Sequence, residues 1–134
     1  MSIVYISGGM AGYDGLNEVA FRAAAQTILD RGDAPLVPHD IKPHQHPGRE
    51  CAPVYGAEAA EGGHDGGCYL RADLADMLKV ADSLYLLPGW SRSRGAQIEV
   101  LIARLMHISI EYHPDAEHGR SFATLLAEVE RRAS

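Results

Sequence analysis

Short apolar segments alternate with longer amphipathic segments along this chain of 134 residues, and the alternation constrains its fold more than any other feature. The apolar segments stop at glycine, proline or a polar turn, which is typical of buried strands. Strands are predicted at 3–7, 34–37, 82–87 and 108–112, and helices at 16–31, 69–81, 93–106 and 121–132. The order of elements is therefore β-α-β-loop-α-β-α-β-α.

This order predicts a parallel sheet whose two faces are both covered by helices. Right-handed crossovers make the chain a single three-layer α/β/α domain of flavodoxin-like or Rossmann-like type, with four or five parallel strands in the order 2-1-3-4. Ligands in such sheets bind beyond the carboxyl ends of the strands, where the strand order reverses. The turns at 7–10 and 88–93 are expected to meet at that point.

The segment 38–68 interrupts the alternation with four prolines, six glycines and four of the seven histidines. A loop of this length in a compact domain is typical of a lid, a binding loop or a partly mobile segment. Its His39, His44, His46 and His64, together with two cysteines, raise the question of a structural zinc site. No standard paired Cys/His spacing is present, so we expect neither a metal nor another cofactor.

Composition excludes several classes of protein. With 12 basic and 18 acidic residues, the formal net charge is −6, which disfavours binding of a nucleic-acid polymer through its phosphates. No segment approaches the ~20 apolar residues of a membrane span, and the N-terminus lacks the basic region of a signal peptide. We therefore expect a cytoplasmic protein with no membrane partner, while a small anionic ligand remains compatible with the charge.

Glu99 has the most informative surroundings of any charged residue. At about 100° per residue its neighbours on the helix are small or apolar, whereas Arg94, Gln97 and Arg104 cluster on the other side. An unpaired charge on an apolar face is costly. Two explanations stay open: an ion pair with an arginine of the fold or of a partner subunit, and a catalytic carboxylate that faces a cleft.

The start of the same helix has the features of an anion site. Ser93 is a candidate N-cap, Gly95 permits close approach, and Arg92 and Arg94 flank the first turn. Free N–H groups and the helix dipole attract negative groups there. Ordinary capping without a ligand is the alternative.

Three further features have two interpretations each. The residues 7–9 read Ser-Gly-Gly without a GxGxxG motif, so they predict a ligand-contacting turn rather than a dinucleotide site. Asp73 borders the apolar face of its helix, where it could orient a substrate hydroxyl or simply be solvated. Trp90 follows a strand end, where it could stack on a base or sugar or pack against the turn.

Three motifs together resemble the nucleoside 2-deoxyribosyltransferase-like superfamily, and most closely its short, often phage-borne branch. They are Tyr-Ile-Ser-Gly-Gly-Met at 5–10, Tyr-Leu-Arg-Ala-Asp-Leu at 69–74, and Ala-Asp-Ser-Leu-Tyr-Leu-Leu-Pro-Gly-Trp at 81–90 followed by Ser93, Gly95, Ala96 and Glu99. The resemblance extends from 3 to 112, except for the loop at 38–68. It implies a homodimer or a higher homo-oligomer and, for a phage protein, the host cytoplasm.

The resemblance also implies an activity. Glu99 would attack the anomeric carbon of a deoxyribonucleoside or its 5′-monophosphate, Asp73 would orient the sugar or the nucleophile, and Tyr5 would hydrogen-bond the nucleophile. The covalent intermediate would be resolved by water, or alternatively by another base; a non-catalytic nucleotide-binding module on the same fold is a further alternative. Some nucleotide hydrolases of this kind have an arginine where this chain has Ala11. The residues expected to contact substrate are Ser7, Gly8, Gly9, Met10, Gly89, Trp90, Ser93, Arg94 and Gly95.

Overall fold

The computed structural model describes residues 1–41 and 66–133, and their strands form one parallel sheet. The strands are β1 (Ile3–Ser7), β2 (Ala34–Leu36), β3 (Ser83–Leu86) and β4 (Ser109–Tyr112). They lie in the order β2-β1-β3-β4, and every neighbouring pair is parallel. The predicted fold class and strand order are therefore confirmed.

Four α-helices connect and follow the strands: α1 (Glu18–Asp30), α2 (Gly66–Val80), α3 (Arg94–Leu105) and α4 (Phe122–Ala133). Short 3₁₀ turns lie at Asp14–Asn17, Pro38–Asp40 and Trp90–Arg92. Helix α1 begins two residues later than predicted, because Leu16 and Asn17 have φ of 56° and 61°, in the left-handed region. Ser93 is the predicted N-cap of α3, and its Oγ accepts from the Ala96 N–H at 3.3 Å.

Alternate residues of the central strands point to opposite faces of the sheet, so the core has two halves. On one face Val4, Ile6 and Tyr85 pack against α1. On the other face Tyr5 and Leu84 pack with residues of α2, α3 and α4. The strand segments are almost continuously apolar because both faces of the sheet are buried. The sheet and the helices on its two faces form the three predicted layers.

Gln97 is the main exception to the predicted helix faces. Helical periodicity places it on the polar side of α3, but it is fully buried, because α4 packs on that side. Its Nε2 donates to the Ser91 carbonyl at 2.7 Å and to Glu128 Oε2 at 2.8 Å. These hydrogen bonds satisfy the NH₂ group of the amide, whereas its Oε1 is buried and has no hydrogen-bond partner among the described residues.

Most of the histidine-rich segment lies outside the described residues, and with it the predicted lid, His44, His46, Cys51 and His64. His39 is described: it is buried, and its Nε2 lies 2.9 Å from the carbonyl oxygen of Leu16. Within 1–41 and 66–133, no group of three or more His, Cys, Asp or Glu side chains is placed to hold a metal ion. No helix in those ranges is long and apolar enough to cross a membrane.

Candidate active site

A cavity of about 210 Å³ opens beyond the carboxyl end of β1, between α2 and the start of α3. Strand β1 and its turn contribute Tyr5, Gly8 and Met10, α2 contributes Tyr69, Leu70 and Asp73, and α3 with its N-cap contributes Ser93, Gly95, Ala96 and Glu99. This is the edge of a parallel sheet at which ligands bind, next to the point where the strand order reverses. The structure thus brings together the three residues that were predicted to be catalytic: Tyr5, Asp73 and Glu99.

Glu99 is 5% exposed, and both of its carboxylate oxygens are held by hydroxyl groups. Tyr5 Oη donates to Oε2 at 2.5 Å, and Ser7 Oγ donates to Oε1 at 2.7 Å. Tyr5 and Ser7 lie two positions apart on β1, so both side chains project from the same face of the sheet. The two hydroxyls therefore determine the orientation of the carboxylate and stabilise its ionised form.

The second carboxyl of the cavity, that of Asp73, has a different environment. Asp73 belongs to α2 and is partly buried at the cavity wall, and no described residue donates a hydrogen bond to it. Burial raises the pKa of the Asp73 carboxyl to about 9, with a further contribution from the negative charge of Glu99. The pKa of Glu99 is also raised by burial, to about 7, although the hydrogen bonds from Tyr5 and Ser7 act in the opposite direction.

The two carboxyls interact, so neither titrates independently of the other. The hydroxyls of Tyr5 and Ser7 favour the ionised form of Glu99, whereas no described residue donates to Asp73, so the geometry favours a shared proton on Asp73. The pKa of Tyr5 is raised well above its usual value, first by burial and then by the charge of Glu99, so the phenol remains a donor. Acid-assisted nucleophilic chemistry requires one ionised and one protonated carboxyl group. Two carboxyls in different environments, as in this cavity, can provide that difference.

A second cavity, of about 420 Å³, adjoins the first and shares Met10, Ala11, Ser93 and Gly95 with it. It is also lined by Gly9, Tyr13, Arg92 and Arg94. The first turn of α3 and two arginine side chains therefore lie beside this cavity. Together the two cavities form a cleft with a carboxylate end at Glu99 and a basic end at Arg92 and Arg94.

Ser7 has a different position from the one expected of a substrate contact. It is fully buried and lines neither cavity, and its hydroxyl is directed to Glu99. Its role in the site is indirect, through the orientation of that carboxylate. The spacing of two residues between Tyr5 and Ser7 on one strand was a sequence signal for a shared partner, and only the position of α3 identifies the partner.

Trp90 and Gly89 do not contact the cleft. Trp90 is fully buried in the core, and its Nε1 donates to the backbone carbonyl of Glu117 at 2.8 Å. Gly89 has φ of +86°, is buried, and donates its N–H to Glu117 Oε1 at 2.8 Å. The expectation that Trp90 stacks on a base or sugar is therefore wrong, because the segment after β4 covers this turn.

Replacing Trp90 with phenylalanine is expected to lower the free energy of unfolding by about 1–2 kcal/mol through the lost indole hydrogen bond and lost packing, without changing ligand affinity. Chemical denaturation followed by circular dichroism measures the first quantity, and calorimetric titration with a deoxynucleotide, the ligand class expected from the sequence, tests the second. A large loss of affinity in a variant that remains folded would show that the indole does contact the ligand.

Comparison with known protein families places most of this chain in one family. A family described as a domain of unknown function (DUF4406) matches residues 2–112. The chain belongs to that family. No curated protein and no solved structure matches the sequence. The range matched to DUF4406 includes Tyr5, Asp73 and Glu99, and it ends at the last residue of β4, before Glu117.

Proposed function

We propose that this protein cleaves the N-glycosidic bond of a 2′-deoxynucleoside 5′-monophosphate or of a deoxynucleoside, with Glu99 as the nucleophile. The observation that carries the proposal is the pair of carboxyls in one cavity: Glu99 accepts hydrogen bonds from two hydroxyls, and Asp73, whose pKa is raised by burial, has no described donor. The proposal is also supported by the resemblance of the motifs around these residues to nucleoside 2-deoxyribosyltransferase-like proteins.

In the first step, a Glu99 carboxylate oxygen attacks C1′ of the deoxyribose, and the bond between C1′ and the base nitrogen breaks. The bonding electron pair leaves with the base, and Asp73 donates its proton to the base as it departs. The products of this step are free base and a deoxyribosyl ester of Glu99. A carboxylate nucleophile paired with a carboxylic acid is the arrangement used by retaining glycosidases.

In the second step, water attacks C1′ of the ester, and the bond between C1′ and the Glu99 oxygen breaks. Asp73, now ionised, takes a proton from the attacking water, which restores both carboxyls to their starting states. A second nucleobase in place of water would give base exchange. The hydrogen bonds from Tyr5 and Ser7 make the Glu99 carboxylate a better leaving group in this step, because they stabilise its anion.

The basic end of the cleft supports a phosphorylated substrate. Arg92, Arg94 and the first turn of α3 lie beside the second cavity, and N–H groups at a helix start bind phosphate well. Ala11 lies in the same cavity, at the position where some related hydrolases have an arginine. In this chain, the arginines that precede and begin α3 would compensate for that absence.

The test is incubation of the purified protein with a panel of deoxynucleotides, deoxynucleosides and the corresponding ribonucleotides, with free base measured by chromatography. Release of base from a deoxy substrate supports the proposal, and parallel reactions with a second base distinguish hydrolysis from exchange. Calorimetric binding of a deoxynucleotide without any release would instead favour a binding module. The proposal fails if no member of the panel releases base.

The pH profile of turnover is expected to be bell-shaped, with limbs near pH 7 and pH 9. Glu99 must be ionised to attack, so kcat falls as pH drops below the raised pKa of Glu99, about 7. Asp73 must be protonated to assist departure of the base, so kcat falls above the pKa of Asp73, about 9. Initial rates at saturating substrate from pH 5 to 10 measure both limbs, and a flat profile across this range would contradict the assignment.

A homodimer is part of the same proposal. Leu105 and Met106, at the C-terminal end of α3, are 54% and 57% exposed, so this end of the helix presents apolar surface. Light scattering coupled to size-exclusion chromatography gives the mass of the particle, and a monomer at all concentrations would exclude the dimer.

A further inference from the structure

The segment that follows β4 folds back onto the turn between β3 and α3. One carboxylate oxygen of Glu117 accepts from the Gly89 N–H at 2.8 Å, and the other accepts from Ser91, from its N–H at 3.1 Å and from its hydroxyl at 2.5 Å. The Glu117 backbone carbonyl accepts from Trp90 Nε1 at 2.8 Å. A single residue thus forms four hydrogen bonds to three consecutive residues of the turn.

These hydrogen bonds involve a charged acceptor. Burial by itself would raise the pKa of Glu117, but the hydrogen bonds from Ser91 and Gly89 outweigh it and lower the pKa below the usual value. Glu117 is therefore ionised at neutral pH. Hydrogen bonds to an ionised carboxylate are about twice as strong as those between neutral groups.

The same C-terminal region holds the turn from a second side. Gln97 Nε2 connects the Ser91 carbonyl to the Glu128 carboxylate of α4, and Arg120 forms an ion pair with Glu128. All three polar groups of Ser91 are therefore held from 117–128. Glu117 accepts from its N–H and its hydroxyl, and Glu128 holds its carbonyl through Gln97. This region lies beyond residues 2–112, the range matched to the family.

The turn held in this way leads directly into the cleft. Arg92 and Ser93 follow it and line the second cavity, and Ser93 caps α3. Gly89 is in the left-handed region, a conformation that costs the chain little only because the residue is glycine. The direction in which Ser93 and the first turn of α3 face the cleft therefore depends on the conformation of residues 89–92.

We propose that Glu117 is a positioning residue for substrate binding, which holds the β3–α3 turn so that Ser93 and the N-terminus of α3 face the substrate. This inference rests on the proposed function for its substrate, a 2′-deoxynucleoside 5′-monophosphate. Glu117 lines neither cavity of the cleft and its carboxylate binds Gly89 and Ser91, so it acts through the turn and not on the reacting atoms. Its loss is expected to weaken substrate binding and to leave the chemical step intact.

The test compares wild type with Glu117→Gln and with Asp115→Asn as the matched control. Glutamine has the same size but replaces one acceptor oxygen with an NH₂ group, which leaves N–H groups of the turn without an acceptor. For Glu117→Gln we expect KM for the deoxynucleotide to rise about tenfold, which corresponds to the loss of one hydrogen bond to a charged group, while kcat changes less than about twofold. Asp115 is exposed and no hydrogen bond joins its side chain to the turn, so Asp115→Asn should behave as wild type.

Amide hydrogen exchange provides a readout that does not need turnover. In Glu117→Gln, the amides of Gly89 and Ser91 should exchange faster, whereas the amides of β1 and β3 should keep their wild-type protection. Ser91→Ala removes the hydroxyl donor from the opposite side of the contact and should give the same exchange pattern with smaller changes. It replaces Glu117→Gln in the test if Glu117→Gln does not fold.

Unchanged KM in Glu117→Gln, or unchanged exchange at Gly89 and Ser91, would overturn the inference. Equal acceleration of exchange throughout the sheet would also overturn it, since that result shows a purely structural role. If wild type releases no base from any deoxynucleotide, the proposed function fails, whereas the exchange data still show whether Glu117 orders the turn. The two failures are therefore distinguishable.

Discussion

Glu99→Gln is expected to lower kcat for base release by about 10⁴-fold or more, as removal of a nucleophile does in enzymes with covalent intermediates. Glutamine keeps the size of the side chain and can still pair with Tyr5 and Ser7, but its amide does not form the glycosyl ester. Chromatographic measurement of free base at pH 8 gives the rate, and circular dichroism verifies the fold.

The stability of the same variant provides an internal check. The pKa of Glu99 is raised in the folded state, so the unfolded chain binds fewer protons between its own pKa and about 7, and the stability of wild type falls as pH rises through that window. Glu99→Gln has no ionisable group at this position, so its stability does not fall over this pH range and it should be at least as stable as wild type at pH 8. Glu18→Gln, on the exposed surface of α1, is the control and should retain full activity. Base release by Glu99→Gln at the wild-type rate would refute the nucleophile assignment.

Asp73→Asn is expected to lower kcat by about 10²- to 10⁴-fold, because an amide cannot donate the proton that the departing base requires. The defect should be smallest with a substrate whose leaving group departs without a proton, such as 4-nitrophenyl 2-deoxyriboside. The alkaline limb of the pH profile should also disappear. Initial rates with a deoxynucleotide and with the nitrophenyl substrate measure this difference.

Asp73→Asn should also make the protein more stable in alkaline solution. The pKa of Asp73 is raised to about 9 in the folded state, so wild type loses stability as pH rises from the unfolded-state pKa towards that value, and the asparagine variant does not. Thermal melts at pH 5 and pH 8.5 compare the two. Asp30→Asn, on the exposed surface of α1, is the control for removal of one aspartate charge. An equal rate defect with both substrates would show that Asp73 does not act as the acid.

The fold of this chain was predictable because its strands carry a local signal. Segments such as 3–7 are apolar on both faces of the sheet, which distinguishes them from the amphipathic helices on either side. Once strands and helices alternate, the right-handed crossover leaves few possible strand orders, and 2-1-3-4 is the one observed. The cap of α3 was predictable for the same reason, because Ser93 and the Ala96 N–H are only three residues apart.

The position of the candidate site residues was predictable where they occupy the carboxyl edge of the sheet. The isolated charge of Glu99 on an apolar helix face indicated a special environment, and the structure provides it with two hydroxyl donors. The burial of Gln97 and Trp90 was not predictable, because it is α4 and the segment after β4 that cover them. These contacts join residues about thirty positions apart, so a pattern within one segment of the sequence cannot predict them.

The sequence by itself determined the alternation of elements, the parallel sheet and its strand order, because each follows from periodicities within single segments and from the handedness of the chain. Only the tertiary structure decided that Ser7 holds Glu99, that Asp73 and Glu99 line the same cavity, and that Glu117 supports the turn before α3. Hydrogen bonds and pKa shifts depend on which groups approach within a few ångströms after packing. That approach is a property of the folded chain as a whole and not of any one segment.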